Sequence, residues 1–400
     1  MNTSLFEFYC PVKIISGALA LSSLPYEMRS ANVSRAMVVT DAGVKGAGLI
    51  KIVENAFDGS GCDIGCIYDE TPPDSAHTTV NKVAQLYREN NCDCFVAVGG
   101  GSCIDTAKAA NIVISEGTND LMEFRGADRL TKPARPLFVA PTIAGLLPIM
   151  LGSGTGSEVT LVAVINNSDQ GVKMAFTSPR LCPTAAFIDP RMTLTCPPKI
   201  TAATGMDALT HAIESYYCLQ KNPVSDSFSL TAIKLIMRSL LTAVQDGKNE
   251  PARLDMANGA LVAGIAFSNS MVGVVHALAH ATGGTCHVPH GVANAILLPY
   301  GMENNLEMRA DVIAELAPHL CGDPVDGDAS VRARAAIQAV RDLTAKLNTL
   351  CGLPLKLSDA GVTEDKLETI AKASVNDGAL TYNPEHVTAD QALEILEKAF

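Results

Sequence analysis

Several features that mark particular classes of protein are missing from this chain of 400 residues. It has no excess of basic residues, since 30 Lys and Arg face 42 Asp and Glu, for a formal net charge of −12. This acidic balance argues against nucleic acid or an anionic membrane as the main partner. A long apolar run is also missing, because the most apolar stretch, residues 146–151, is far shorter than the roughly 20 residues of a membrane span. We therefore expect neither nucleic acid nor a membrane as a partner.

A secretion signal and paired metal-binding cysteines are missing as well. The sequence starts MNTSLFEFYCPVK, without a basic segment followed by an apolar core, so we expect a cytoplasmic protein without a signal peptide. The 12 cysteines include no C-x-x-C pair, and we expect no structural zinc site among them. Their simplest interpretation is that of small buried hydrophobic residues in a reducing compartment.

What the chain does have is enough apolar material for large cores and a change of pattern near its middle. Hydrophobic residues make up 48% and charged residues 18%, which excludes a disordered protein. Short β-branched runs alternate with helical stretches up to Pro190, whereas residues 199–400 show helical periodicity with few strand signals. Strand–helix alternation indicates a mainly parallel sheet covered by helices. We predict an α/β N-terminal domain over residues 1–190, with a Rossmann-like parallel sheet, and an all-α C-terminal domain over residues 191–400. The predicted strands are residues 36–41, 62–69, 94–100, 136–142, 158–166 and 185–189.

A glycine-rich turn joins one predicted strand to the helix that follows it. In CFVAVGGGSCIDTAK, this turn consists of Gly99, Gly100, Gly101 and Ser102. Glycines let the backbone approach a ligand closely, and a helix N-terminus offers N–H groups to a phosphate. The alternative is structural, with Ser102 serving only as a helix N-cap. The turn lacks the G-x-G-x-x-G spacing of the standard dinucleotide fingerprint.

Two further residues of the first half are candidates for cofactor contacts. Asp41 closes the first predicted strand in VVTDAG, where a carboxylate can hydrogen-bond the adenosine ribose of NAD and repel the 2′-phosphate of NADP. Its alternative role is a helix N-cap. Lys173, in GVKM, is a candidate for a ribose or phosphate contact, with an ordinary surface lysine as its alternative.

The second half concentrates the histidines of the chain. Of its 8 histidines, 5 fall between positions 211 and 290. Asp207 and His211 stand at i and i+4, as do His276 and His280, so each pair lies on one helical face. His290 follows in VPHGVAN. One carboxylate and three imidazoles suit a divalent transition metal such as Fe(II) or Zn(II).

Taken together, these segments resemble the iron-containing (group III) alcohol dehydrogenases over nearly the whole chain. The resemblance implies a dehydroquinate synthase-like architecture and a homo-oligomer, a homodimer or larger. It also implies an NAD(H)-dependent, metal-dependent alcohol dehydrogenase or aldehyde reductase that acts on short primary alcohols, diols or their aldehydes. The motifs that carry it are VVTDAG, VGGGSCIDTAK, TGSEVT, FIDPRMT, ITAATGMDALTHAIESY, VVHALAHATGG and VPHGVANAILLPY, of which the last three are the most specific.

The resemblance assigns roles to individual positions. His280 matches a histidine near the nicotinamide that belongs to a proton path, and Phe267 matches a position that lines the substrate pocket. The implied metal ligands are Asp207, His211, His276 and His290. The implied NAD contacts are Asp41, Gly99, Gly100, Gly101, Ser102, Thr142, Thr155 and Lys173.

The sequence departs from the family pattern in two places. The family's uninterrupted P-T-T-A-G-T-G-S-E motif is split here, because LLPIMLGSG, residues 146–154, separates PTIAG from TGSE. This insertion lies where the family contacts the cofactor, between Thr142 and Thr155. In ETPPD, Pro72 stands where the family often has asparagine and cannot make that side-chain contact.

Other functions stay open at this point. Glycerol dehydrogenases, dehydroquinate synthases and maleylacetate reductases share the architecture, although the full Asp-His-His-His set favours an alcohol dehydrogenase. A metallohydrolase would use the cation to activate water, and a non-catalytic relative would act inside an enzyme assembly. The ligand set also leaves Fe(II) and Zn(II) open, since zinc usually binds such sites more tightly.

Overall fold

The structure is a computed structural model that describes residues 5–73, 75–142, 157–167 and 172–400. The described residues form two compact units. An α/β unit contains residues 10–142 and 157–196, apart from positions 74 and 168–171, and a helical unit contains residues 5–9 and Pro197–Phe400. The inserted segment 146–154 and Thr155 lie outside the described residues.

The α/β unit is built on a six-stranded sheet in the order β1-β9-β6-β4-β2-β3, in which every neighbouring pair is parallel. A smaller sheet has the order β5-β8-β7, with β7 and β8 antiparallel. The strands are β1 Lys13–Ser16, β2 Arg35–Val39, β3 Asp63–Tyr68, β4 Cys94–Gly99, β5 Gly126–Ala127, β6 Leu137–Pro141, β7 Val162–Asn167, β8 Val172–Thr177 and β9 Ala185–Ile188.

Both faces of the large sheet are buried, which explains why its central strands are continuously apolar. Successive side chains of a strand point to opposite faces, so Phe95 and Ala97 join one core while Val96 and Val98 join the other. Helices α4 and α5 cover the first face, and α1 and α3 cover the second. The helices of this unit are α1 Leu24–Ser30, α2 Ala42–Gly46, α3 Ile50–Phe57, α4 His77–Glu89 and α5 Gly101–Glu116.

Helix α5 also anchors residues 157–162. The ammonium group of Lys108 is fully buried and donates to the carbonyl oxygens of Thr160, at 2.8 Å, and Val162, at 2.9 Å. Burial lowers the pKa of Lys108 to about 8. One turn earlier, Asp105 accepts a hydrogen bond of 2.7 Å from the hydroxyl of Ser157. The second half of the TGSEVT motif is therefore fixed to the helix that follows the glycine turn.

The helical unit begins where the strand pattern ends. Pro190–Met192 is a short 3-10 helix of the α/β unit, and the first long helix begins at Pro198. The helices are α6 Pro198–Tyr217, α7 Pro223–Gln245, α8 Glu250–Ser268, α9 Val274–Cys286, α10 His290–Asn304, α11 Leu306–Glu315, α12 Ala317–Cys321, α13 Ala329–Cys351, α14 Leu367–Ser374 and α15 Ala389–Ala399. The predicted fold class, a parallel α/β region followed by a mostly helical region, is confirmed. The division into domains at residue 190 stays a prediction.

Within the part of the chain that the structure describes, one helix has the length and composition of a membrane span. Helix α7, with 23 residues, contains a window of mean hydropathy 1.4, of which 44% is buried inside the protein. It packs against α6 and α8 in the helical unit. The core helix of a soluble protein meets the same criteria, so this is weak evidence for a span.

Candidate active site

The four predicted metal ligands converge in the helical unit. Asp207 and His211 lie one turn apart on α6, His276 lies on α9, and His290 is the first residue of α10. The carboxylate Oδ1 of Asp207 lies 3.4 Å from Nε2 of His290 and 3.8 Å from Nε2 of His276. Donor atoms of these three residues all lie within 4.8 Å of one another. Nδ1 of His211 lies 3.9 Å from the same carboxylate oxygen, and its ring centroid is 4.3 Å from that of His276.

Burial keeps these imidazoles in the form that binds metals. Asp207 is 0% exposed, and none of the three histidines is more than 5% exposed. Burial and the charge of the neighbouring His276 lower the pKa of His211 to about 3, and burial together with His280 does the same for His290. Burial also lowers the pKa of His276 well below its usual value. The neutral imidazole is the metal-binding form of histidine.

A buried carboxylate that the sequence analysis missed orients one of these histidines. Glu214 lies on α6, and its Oε2 is 2.6 Å from Nδ1 of His276. Its Oε1 accepts the backbone N–H of Val275, at 2.8 Å, at the start of α9. Burial raises the pKa of Glu214. Such carboxylate–histidine pairs fix the ring orientation of metal-binding histidines and leave Nε2 for the metal. The only signal in the sequence was its place in HAIESY, three residues after His211.

The amide of Asn294, on α10, holds the carboxylate of Asp207. The sequence analysis did not identify this residue either. Asn294, one turn after His290, is 0% exposed and donates from Nδ2 to Oδ1 of Asp207 at 2.5 Å. The same nitrogen lies 3.0 Å from Nε2 of His290. The i,i+4 spacing from His290 in HGVAN could have drawn attention to it.

The two other residues assigned by resemblance in this half lie against the same cluster. The ring of Phe267, on α8, stacks on His211 with centroids 4.4 Å apart. The ring of His280, on α9, is parallel to that of His290 within 15°, at 5.0 Å. Unlike the four buried residues, His280 has 44% of its side chain exposed.

The donor set fits a divalent transition metal. It combines one carboxylate with neutral imidazoles, the mixture that suits Fe(II) or Zn(II). Nδ1 of His211 is buried and has no hydrogen-bond partner within the described part of the chain. A buried polar nitrogen without a partner is costly, and a metal ligated at this position would satisfy it.

In the α/β unit, the predicted cofactor residues meet at the carboxyl ends of β2, β4 and β6. Gly99 ends β4 with a φ of +150°, and a Cβ there would lie 2.6 Å from the Sγ of Cys103. Gly100 is the N-cap of α5, and Gly101 and Ser102 begin the helix. Ser102 is therefore not the N-cap that the alternative interpretation required. A glycine N-cap offers no side-chain acceptor to the first N–H groups, which leaves them to a ligand phosphate.

Asp41 and Thr142 flank this turn. Asp41 is the N-cap of α2: its Oδ1 accepts the N–H of Val44 at 2.9 Å, while its Oδ2 accepts the thiol of Cys103 at 3.3 Å. Both functions proposed for Asp41 are compatible, because each carboxylate oxygen has a second lone pair. Thr142 donates its N–H to the carbonyl of Gly99 at 3.1 Å. Its hydroxyl is buried and has no hydrogen-bond partner among the residues that the structure describes.

Of the two remaining predicted cofactor residues, the structure describes one. Lys173 is an exposed residue of β8, in the small sheet, opposite Asn166 of β7. Thr155 lies outside the described residues.

Comparison with known proteins adds independent evidence. Residues 11–190 match the family "Iron-containing alcohol dehydrogenase", and residues 201–400 match "Fe-containing alcohol dehydrogenase family, C-terminal". The chain is 34% identical over 400 residues to alcohol dehydrogenase 4 of Saccharomyces cerevisiae (strain YJM789), which covers 100% of this chain and 99% of the yeast protein.

Solved structures of other proteins share the fold of this chain. The crystal structure of a 1,3-propanediol oxidoreductase superposes with a TM-score of 0.91 at 34% identity, over 99% of this chain and 100% of that chain. The sulfoacetaldehyde reductase of Bifidobacterium kashiwanohense, solved in complex with NAD+, has a TM-score of 0.86 at 28% identity, over 99% of each chain. With two family matches that together span most of its length, this chain belongs to the iron-containing alcohol dehydrogenases.

Proposed function

We propose that this protein is an NAD(H)-dependent, metal-dependent alcohol dehydrogenase or aldehyde reductase that acts on short primary alcohols, diols or their aldehydes. The observation that carries the proposal is the buried cluster of Asp207, His211, His276 and His290, with Phe267 against one side and His280 against another. Its relatives are named as oxidoreductases of alcohols and aldehydes, which favours this function over a metallohydrolase.

In this proposal the helical unit holds the cation and the substrate. A divalent cation bound there would polarise a carbonyl oxygen or lower the pKa of an alcohol. Glu214 and Asn294 hold His276 and Asp207 in place for it. Phe267 presents an apolar surface beside His211, which suits the carbon chain of a small substrate. His280, partly exposed, would exchange a proton between the site and solvent.

The α/β unit would bind the cofactor. NAD supplies the hydride chemistry, while the protein supplies binding and orientation. The glycine turn and the start of α5 would bind its pyrophosphate, and Asp41 would accept the ribose hydroxyl groups. Thr142, whose N–H donates to the carbonyl of Gly99, would contribute a further hydrogen bond. Thr155 and Lys173 stay proposed contacts on the strength of the resemblance alone.

The metal, the assembly and the compartment are part of the same proposal. We propose Fe(II) as the resident metal, with Zn(II) as the alternative that the same ligands would accept. We also propose a cytoplasmic homodimer or larger homo-oligomer, which light scattering coupled to size exclusion would test.

A substrate panel tests the function. The metal-depleted protein would be reconstituted anaerobically with Fe(II) or Zn(II) and assayed with short aldehydes and alcohols, using NADH and NADPH. We expect metal-dependent oxidation of NADH with one or more aldehydes. Metal-dependent ester or amide hydrolysis without any NADH oxidation would favour a metallohydrolase. Absence of both activities and of NADH binding would favour a non-catalytic protein.

A further inference from the structure

His280 is held by contacts on three sides. Its ring lies flat against His290, with centroids 5.0 Å apart, and edge-on to His276 at 6.1 Å. Its Nδ1 lies 2.9 Å from Oδ2 of Asp377, a residue 97 positions further along the chain. The two histidines limit the tilt of the ring, and the contact with Asp377 limits its rotation.

Asp377 is itself fixed by the backbone. It is the N-cap of a short 3-10 helix, Gly378–Tyr382, and its Oδ1 accepts the N–H of Ala379 at 2.8 Å. The two oxygens of this carboxylate therefore have different partners: Oδ1 caps the 3-10 helix, and Oδ2 contacts His280. A carboxylate anchored in this way cannot follow the imidazole to another rotamer without breaking the cap.

The far end of the same turn is tied to the same helix. Asn383, which follows Tyr382, accepts the N–H of Val274 through Oδ1 at 3.1 Å, at the first residue of α9. Its Nδ2 donates to Oδ1 of Asn305 at 3.0 Å. Residues 377–383 are thus attached to α9 at its start, through Asn383, and at its middle, through Asp377.

Helix α9 therefore carries two carboxylate–histidine pairs one turn apart. Glu214 contacts Nδ1 of His276 inside the cluster, and Asp377 contacts Nδ1 of His280 at its edge. An ionised carboxylate only accepts hydrogen bonds, so beside the Asp377 carboxylate Nδ1 of His280 carries the hydrogen and Nε2 keeps its lone pair. In His276, Nε2 lies 3.8 Å from Oδ1 of Asp207.

We propose that Asp377 is a positioning residue that holds His280 in the Nδ1–H tautomer and in one orientation at the edge of the metal cluster, and that turnover depends on this arrangement. The inference rests on the proposed function.

Substitutions at position 377 separate the orienting role from the cap. Asp377→Ala removes both hydrogen bonds. Asp377→Asn keeps a good N-cap residue, but its single acceptor oxygen cannot serve Ala379 and His280 together. Asp328→Ala is the matched control, because Asp328 caps α13 by accepting the N–H of Val331 at 2.9 Å and lies outside the proposed site.

We expect Asp377→Ala to lower kcat about tenfold, the lower end of what carboxylate partners of functional histidines contribute. The KM for NADH and the bound metal should stay at wild-type values. Asp377→Asn should lower kcat at least as much as Asp377→Ala without a change in Tm, because its amide NH2 donates to Nδ1 of His280 and favours the other tautomer. Asp328→Ala should lower Tm without a change in kcat. In the zinc-loaded protein, ¹⁵N shifts of the His280 ring should report the Nδ1–H tautomer, and Asp377→Ala should reduce its population.

A double-mutant cycle with His280→Ala decides whether the effect passes through this histidine. We expect Asp377→Ala to have no further effect on kcat once His280 is gone. An equal loss in both backgrounds, or an unchanged kcat in an active Asp377→Ala enzyme, would overturn the inference while the proposed function stands. A wild-type protein without any alcohol or aldehyde activity would overturn both, and that outcome is visible before any variant is made.

Discussion

The metal cluster and the glycine turn are built by different means, although both were predicted from short motifs. In the cluster, four side chains from three helices converge with no more than 6% exposure each, and further side chains orient them. At the turn, the groups proposed to face the ligand are the backbone N–H groups at the start of α5, while Asp41 and Thr142 stand at the edges. A site made of side chains on helices depends on residue identity and spacing. A site made of backbone depends on the path of the chain.

This difference predicts that single substitutions will damage the cluster far more than the turn. The largest effect is expected from His276→Ala, which removes a proposed ligand and leaves Glu214 buried without its imidazole partner. We expect kcat/KM to fall by more than roughly 100-fold, the upper end of effects from outer-sphere partners. Metal content measured on the purified variant should fall with it. His386→Ala, at an exposed histidine, is the control and should match the wild type in both measurements.

A smaller effect on the same cluster is expected from Glu214→Gln. Glutamine keeps the volume and one acceptor oxygen, but a neutral amide holds the Nδ1–H of His276 less firmly. Metal affinity should weaken by roughly 10- to 100-fold, measured by competition with a chromophoric chelator. Glu368→Gln, at an exposed residue paired with Lys372, should leave the affinity unchanged. If both variants bind metal as the wild type does, Glu214 has no part in holding the cation.

The smallest effect is expected at the edge of the turn, from Asp41→Asn. Asparagine is as good an N-cap as aspartate, so the cap of α2 should survive and Tm should not change. Loss of the negative charge should improve kcat/KM for NADPH relative to NADH about tenfold, the factor that about 1.4 kcal/mol of relieved repulsion gives. Asp41→Ala should shift the same ratio and also destabilise the protein by about 0.5–2 kcal/mol. An unchanged cofactor ratio in both variants would leave Asp41 with its capping role alone.

The same contrast explains which parts of the fold and of the site could be predicted from the sequence alone. Asp207 with His211, and His276 with His280, were predictable because the i,i+4 spacing brings side chains together on any helix. The apolar strands β2, β4 and β6 were recognisable for a similar reason, since buried parallel strands are continuously apolar. Glu214 and Asn294 were not found, because a buried acid or amide looks like any polar helix residue until the facing helix is placed.

Contacts between segments that are far apart in the chain could not be predicted from the sequence. Nothing local in NDGALTYN links Asp377 to His280, 97 residues earlier. The role of Cys103 was also invisible, because its contact with Asp41 depends on β2 lying beside β4. In the predicted strand 158–166, the structure begins β7 only at Val162, because residues 157–160 are held instead by Asp105 and Lys108 of α5.

The central claim is that Asp207, His211, His276 and His290 hold a divalent cation on which the reaction depends. The most direct test is an anaerobic titration of the metal-depleted protein with Fe(II), followed at the same time for bound metal and for NADH oxidation with an aldehyde substrate. We predict that activity rises in step with binding and saturates at one cation per chain, and that His276→Ala shows neither. Full activity in the metal-free wild type, or unaltered binding and activation in His276→Ala, would contradict the account.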